Sequence, residues 1–127
     1  MGKNLMDDFV KETVIDLEVP NRKGFMYKPS TAGQENDWLK HYWKLNPKTK
    51  LGYMDNGELN KCKMQNIVSV PYSIEEITQI TGLQKTWEQL DISERWDLLS
   101  KLKPRIFNKI LEGIEKIDNP PEVELKN

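Results

Sequence analysis

Residues 91–119 read DISERWDLLSKLKPRIFNKILEGIEKIDN and hold the most regular hydrophobic pattern in the chain. Asp91 and Glu94 have the spacing of a capping box, which marks a helix start. Pro104 suits the first turn of a second helix, because the N–H that proline lacks has no partner there. The second helix carries an apolar stripe, and a helix that is hydrophobic on one side buries that side. The stripe residues that we predict to be buried are Ile106, Phe107, Ile110, Leu111 and Ile114.

Two more helix starts lie upstream. Ser73 with Glu76 opens a short helix that Gly82 is placed to end. Thr31 with Gln34 opens another, which we predict to run to the Asn46-Pro47 stop. The apolar stripe of this helix would comprise Trp38, Leu39, Tyr42 and Leu45. Residues 58–70 favour a helix ending near Ser69, although part of this segment also fits the alternation of a strand.

The first part of the chain has the pattern of a β-hairpin. From Thr13 to Val19, apolar residues alternate with acidic ones, as in a half-buried strand. A turn-rich segment ending at Gly24 then leads into an apolar run, Phe25 to Tyr27. Two strands alone are marginally stable in water, so this hairpin must pack on helices or on further strands. Leu51 to Met54 could form another short strand.

These patterns predict an α+β fold that is mostly α, with an N-terminal hairpin or small sheet packed on about five short helices. The 127 residues suit one domain. We place a loose leader at residues 1–10, the single globular domain at residues 11–117 and a flexible tail at residues 118–127.

The composition disfavours membrane and nucleic-acid roles. The 19 basic residues are balanced by 20 acidic ones, whereas nucleic-acid binders usually show a basic excess. The uncharged stretches are too short to span a bilayer. Acidic residues occupy the N-terminal segment where a secretory signal would need an apolar run, so we expect the protein to be intracellular or assembled into something intracellular.

The residue inventory also disfavours catalysis. His41 is the single histidine and Cys62 the single cysteine, whereas structural zinc needs about four such ligands. No glycine-rich phosphate-binding loop is present. The polar segment Asp55 to Glu58 is interpreted as a plain turn. We therefore predict no enzymatic activity, no cofactor and no metal site.

Aromatic residues off the helical stripes indicate a contact surface. Trp43 lies off the stripe of its helix, and the loop after it supplies more apolar side chains than a solvated connection needs. Trp87 lies in a connection, where it would either add to a contact surface or fill a gap between neighbouring helices. The candidate partner-binding residues are Tyr42, Trp43, Leu51, Tyr53 and Trp87. Self-association of the free protein is expected at high concentration.

Lysines interleaved with these aromatics leave a second hypothesis open. Basic and aromatic side chains together are used by surfaces that bind single-stranded nucleic acid. The residues concerned are Lys40, His41, Lys44, Lys48, Lys50, Lys61 and Lys63. A small nucleic-acid-binding or regulatory module is therefore the alternative function.

Short segments along residues 10–117 carry a family resemblance. They are the entry Tyr27 to Asn36 (YKPSTAGQEN), Trp87 to Leu90 (WEQL), Ser93 to Trp96 (SERW) and Leu99 to Pro104 (LSKLKP). In this layout the chain resembles the small tail-assembly proteins (tail assembly chaperone-like) of long-tailed phages, prophages and archaeal proviruses. The N-terminal hairpin departs from the purely helical members of that group.

The resemblance implies a non-enzymatic protein that binds a tail component, such as the tape measure or the tail tube, during virion assembly. It implies work in the host cytoplasm, with association with the virion left open. Because of the hairpin, a structural role in the tail or at the head–tail junction also stays open.

Overall fold

The computed structural model describes residues 13–119, in which five α-helices accompany two small antiparallel sheets. The predicted α+β class, mostly α, is confirmed. The helices are α1 (Ala32–Tyr42), α2 (Asn56–Met64), α3 (Ile74–Thr81), α4 (Ile92–Ser100) and α5 (Pro104–Asp118). The strands are β1 (Ile15–Asp16), β2 (Met26–Tyr27), β3 (Trp43–Leu45), β4 (Gly52–Met54) and β5 (Ile67–Ser69). The predicted leader at residues 1–10 lies outside the described residues.

The three predicted capping boxes all form. Thr31 caps α1, Ser73 caps α3 and Asp91 caps α4, each accepting a hydrogen bond from the backbone N–H three residues on. The residue at that third position returns a bond to the cap backbone in every case. α3 ends at Gly82, which adopts the left-handed conformation (φ 77°) that glycine takes without strain.

β1 and β2 form the predicted hairpin, but the strands are shorter than expected. The predicted strand from Thr13 to Val19 is reduced to Ile15–Asp16. The Asp16 carboxylate accepts hydrogen bonds from the N–H of Glu18 and of Gly24. Glu18 has a φ of 56°, which breaks the extended run. The backbone ladder continues only as far as the bond from the Leu17 N–H to the Phe25 carbonyl (2.9 Å), beyond which the Asp16 carboxylate supplies the hydrogen bonds.

The strand that completes this sheet comes from the segment that we expected to be helical. α2 ends at Met64, and β5 follows as a strand that pairs antiparallel with β2. The helix prediction for residues 58–70 was therefore correct only for the first part. The sheet order β1-β2-β5 supplies the third strand that the hairpin needs for stability.

α1 ends earlier than the sequence pattern suggested. The prediction carried this helix to Leu45, but Tyr42 is its last residue and Leu45 lies in β3. Of the predicted stripe, Trp38 is buried, whereas Leu39 and Leu45 are exposed. This 11-residue helix lies against α2, and Trp38 is its one buried residue.

α5 contacts Leu17 and Tyr27 of the first hairpin region and contributes its apolar side to the core. Ile110 and Ile114 are fully buried, as predicted. Ile106, Phe107 and Leu111, predicted to be largely buried, are partly buried and pack against the core at its edge. The core residues are Leu17, Val19, Phe25, Tyr27, Met64, Ile67, Ile77, Trp87, Leu90, Leu98, Leu99, Ile110 and Ile114.

The last turn of α5 is fastened to the sheet by Asp118. Its carboxylate accepts a hydrogen bond from the hydroxyl of the buried Tyr27 (2.6 Å) and one from the Ser30 N–H (3.1 Å). Burial, together with this carboxylate, raises the pKa of Tyr27. The tail predicted from residue 118 therefore begins too early, because Asp118 belongs to the packed structure. Residues 120–127 lie outside the described residues.

Candidate contact surface

A second hairpin, β3–β4, connects α1 to α2. Its register pairs Trp43 with Met54, Lys44 with Tyr53 and Leu45 with Gly52. The loop between the strands is closed by Asn46, whose side-chain oxygen accepts hydrogen bonds from the N–H of Lys48 and of Thr49. The Asn46-Pro47 pair that we expected to stop a helix thus forms the turn of a hairpin.

Side chains of the hairpin divide between two faces because successive residues of a strand point in opposite directions. One face carries Trp43, Leu45 and Met54. The opposite face carries Lys44 and Tyr53, with Leu51 continuing the alternation at the end of the loop. Both faces therefore present large apolar or aromatic side chains.

Neither face is covered by the rest of the described chain. Every residue of β3 and β4 is exposed. The exposed fractions are 51% for Trp43, 47% for Tyr53 and 69% for Leu51. Single exposed apolar residues are normal on soluble proteins, but neighbouring ones on one face, such as Trp43, Leu45 and Met54, indicate an interaction site. We name the group Trp43, Leu45, Leu51, Tyr53 and Met54 the hairpin surface.

Gly52 leaves room for the indole of Trp43 to lie against the partner strand. A Cβ atom built on Gly52 would lie 2.8 Å from Cε2 of the Trp43 ring, closer than van der Waals contact allows. The tryptophan is thereby held against the hairpin backbone while half of its surface stays open to solvent. A large aromatic group with few remaining rotamers is well suited to anchor a partner.

The hairpin is joined firmly to the helices on either side. The N–H of Asp55 donates to the carbonyl of Tyr42 at 2.6 Å. The Lys44 ammonium forms an ion pair with the Asp55 carboxylate, with Nζ and Oδ2 2.9 Å apart. The hydrogen bond from Lys44 and that from the Glu58 N–H lower the pKa of Asp55. Asp55 also caps α2, so one carboxylate fixes both the hairpin and the helix that follows it.

The five candidate residues do not all lie together. Tyr42, partly buried at the end of α1, precedes Trp43, whereas Trp43, Leu51 and Tyr53 lie exposed along the β3–β4 hairpin. Trp87 is elsewhere and only 3% exposed, so its assignment to a contact surface is wrong.

Trp87 is part of the hydrophobic core instead. Its indole N–H donates to the Ile67 carbonyl at 3.2 Å, and the Arg95 guanidinium lies 4.9 Å from its ring centroid. A buried indole requires such a partner for its N–H. Trp87 fills the space beside β5 and α4, in line with the gap-filling alternative.

Two residues of the hairpin surface escaped the sequence analysis. Leu45 was assigned to a buried helical stripe and Met54 to an unremarked strand end, yet they are 64% and 47% exposed. No local signal marked Leu45, because its spacing also fits the helical stripe and only the formation of β3 removes it from the helix.

Two residues considered for catalysis or metal binding, His41 and Cys62, lie on helices. His41 is exposed on α1, and Cys62 is buried on α2, where burial raises the pKa of its thiol. Within residues 13–119, no group of three or more His, Cys, Asp or Glu side chains could hold a metal ion. None of the helices in that range is both long enough and apolar enough to cross a membrane.

The lysines near the hairpin are only partly available to a ligand. Lys44 is paired with Asp55, and Lys63 with Glu115 at 2.8 Å. Lys40, Lys48 and Lys50 are exposed and form no ion pair with the described part of the chain. These three lysines, on a protein of net charge −1, provide only weak electrostatic attraction for nucleic acid.

Comparison of the chain with protein families, with curated proteins and with solved structures found no match.

Proposed function

We propose that this protein is a non-enzymatic viral or proviral tail-assembly or tail structural protein that acts by protein–protein contact. The expected partner is a phage-type tail protein, either the tape measure or the tail tube, and the expected place of action is the host cytoplasm, with retention in the virion as a further step. The proposal is supported by the sequence resemblance to tail-assembly proteins and by the exposure of the hairpin surface.

The observation that carries the proposal is the open apolar hairpin. Two-stranded hairpins are marginal in water, and this one exposes Trp43 and Tyr53 on opposite faces. Such an element is stabilised when a partner covers it. Tryptophan and tyrosine are also the side chains that most often dominate binding energy at interfaces.

The alternative, a small nucleic-acid-binding or regulatory module, rests on Lys48 and Lys50 in the hairpin loop beside exposed aromatic rings. Few cations are involved, so such binding would be weak and would fall steeply with added salt. Affinity for DNA or RNA that persists at physiological salt would favour this module over the tail protein.

The test of the proposal is co-expression of the full chain with the tail-tube and tape-measure proteins encoded beside its gene, followed by co-purification. We expect a stoichiometric complex with one of them. A control with Arg105→Ala, an exposed α5 residue that lies outside the hairpin, should retain capture. Absence of any tail gene in the neighbourhood, or failure of both proteins to co-purify, would contradict the proposal.

A further inference from the structure

The outer edge of β4 carries backbone groups that form no hydrogen bond with any part of residues 13–119. In an antiparallel pair, alternate residues direct their N–H and C=O groups toward the neighbouring strand or away from it. The bonds from Asp55 N–H to Tyr42 O and from Asn46 N–H to Leu51 O fix this alternation. Lys44 and Tyr53 therefore face each other, and Gly52 and Met54 direct their backbone groups outward. Their four outward groups form no hydrogen bond within the described chain.

This edge lacks the features that normally prevent strand addition. Natural edge strands are protected by charged side chains, prolines, bulges or a covering element. β4 consists of Gly52, Tyr53 and Met54, all exposed and none charged. The edge of β3 differs, because the Trp43 N–H already donates to Leu39 O and Lys44 occupies the strand centre.

The outward N–H and C=O groups of β4 are spaced so that they can pair with the same groups of a second copy. Gly52 and Met54 lie symmetrically on either side of Tyr53. A two-fold axis at Tyr53 would pair Gly52 of one copy with Met54 of the other, twice, which closes four backbone hydrogen bonds. Tyr53 would then lie opposite Tyr53 of the second copy, and aromatic pairs across strands are favourable.

Charges at the ends of such a pairing are also complementary. Continuing the register beyond β4 places Leu51 opposite Asp55 of the second copy, and the loop residue Lys50 next to the start of its α2. That helix start carries Asp55 and Glu58, whereas the loop carries Lys48 and Lys50. A net charge of −1 leaves little repulsion between whole copies.

We propose that the protein forms a symmetric dimer by antiparallel pairing of β4 with β4 of a second copy, about a two-fold axis at Tyr53. The two hairpins become one four-stranded sheet with the order β3-β4-β4-β3. Apart from the contact between the two Tyr53 side chains, the pairing uses the edge of β4 and leaves both faces of the hairpin surface open to a tail partner. The dimer does not depend on the proposed tail role.

Cysteine cross-linking tests the geometry. Tyr53→Cys in a Cys62→Ser background should give a disulfide-linked dimer under mild oxidation, because residues facing each other on paired strands lie about 4.5–5.5 Å apart at Cα, which a disulfide can bridge. The matched control is Leu51→Cys in the same background. Leu51 is more exposed than Tyr53, but the two copies of this residue would be about 13 Å apart along the strands. Equal cross-linking of both variants would overturn the proposal.

Loss of one backbone donor tests the hydrogen bonds. Met54→Pro removes an outward N–H while leaving the bonds between β3 and β4 in place. Leu45→Pro is the matched control, since it removes an outward N–H from the edge of β3. Sedimentation of the full chains should show a dimer dissociation constant raised about tenfold or more by Met54→Pro and nearly unchanged by Leu45→Pro.

Three results would overturn the dimer. They are a wild-type chain that stays monomeric up to about 1 mM, equal weakening by the two proline variants, and cross-linking at Leu51→Cys that matches Tyr53→Cys. Capture of tail proteins is measured separately, so failure of the dimer and failure of the proposed function are distinguishable.

Discussion

At the scale of single residues, Gly113 shows how closely α5 approaches the sheet. A Cβ atom at this position would lie 2.7 Å from the backbone carbonyl oxygen of Leu17. Glycine inside a helix normally costs about 1 kcal/mol relative to alanine, so a reason to retain it must exist. Here the reason is the contact with backbone, which cannot move aside as the end of a flexible side chain can.

Gly113→Ala should therefore destabilise the protein, despite the better helix propensity of alanine. Overpacking typically costs about 1–3 kcal/mol, which exceeds the gain of about 1 kcal/mol, so we expect a net loss of roughly 1–2 kcal/mol in urea unfolding. Gly33→Ala in α1 is the control, because the nearest atom to its Cβ is the Thr31 hydroxyl oxygen at 3.9 Å. The control should be neutral or stabilising, and a stabilised Gly113→Ala would show that α5 does not contact Leu17.

The Tyr27 hydroxyl predicts sensitivity to alkali. Its pKa is raised in the folded protein, so the unfolded chain releases this proton first, from about pH 10 upward. This part of the stability is present below pH 10 and is lost as the pH rises further. Tyr27→Phe should lower the free energy of unfolding at pH 7, by loss of the bond to Asp118, and should flatten its decline above pH 10. Equal slopes in the two proteins, measured by urea unfolding at several pH values, would contradict the assigned cause.

At the scale of elements, the first residues of helices could be predicted from the sequence more reliably than the last residues. Capping boxes at Thr31, Ser73 and Asp91 depend on residues three apart, so the sequence pattern contains the whole interaction. The end of α1 and the strand β5 depend on partners distant in sequence. β5 pairs with β2, about 40 residues upstream, and the local strand propensity of a segment does not indicate such a distant partner.

The hairpin surface was predictable only in part, for the same reason. Trp43 could be picked out because it falls off a helical stripe, and Leu51 and Tyr53 because they make the loop after it more apolar than a solvated connection needs. Leu45 could not, since its spacing also fits the stripe, and only the formation of β3 removes it. Trp87 was predicted as a possible contact residue because connections between helices are usually exposed. In the structure it is buried, and its indole N–H donates to a carbonyl of β5.

Two tryptophan truncations separate surface from core. Trp43→Ala should change the free energy of unfolding by less than about 1 kcal/mol, because the residue lies away from the core and is half exposed. Trp87→Ala should cost about 3–5 kcal/mol, because it leaves a cavity and an unpaired Ile67 carbonyl. Denaturant unfolding followed by circular dichroism measures both. Similar losses in the two variants would mean that Trp43 belongs to the core.

At the scale of the whole molecule, stability and recognition occupy different regions. The core joins α5, the β1-β2-β5 sheet, α3 and α4, whereas the hairpin surface lies on the β3–β4 connection between α1 and α2. Because of this separation, side chains of the hairpin can change with little effect on folding. Loops and connections held by a rigid scaffold are where binding residues concentrate.

The central claim is that the hairpin surface contacts a partner. The most direct measurement is the fraction of tail-tube or tape-measure protein captured by purified Trp43→Ala chain, relative to wild type and at equal folded concentration. Loss of a central aromatic anchor typically costs at least 2 kcal/mol of binding, so we predict a fall of about thirtyfold in affinity. Capture by Trp43→Ala equal to that of the wild type would contradict the claim.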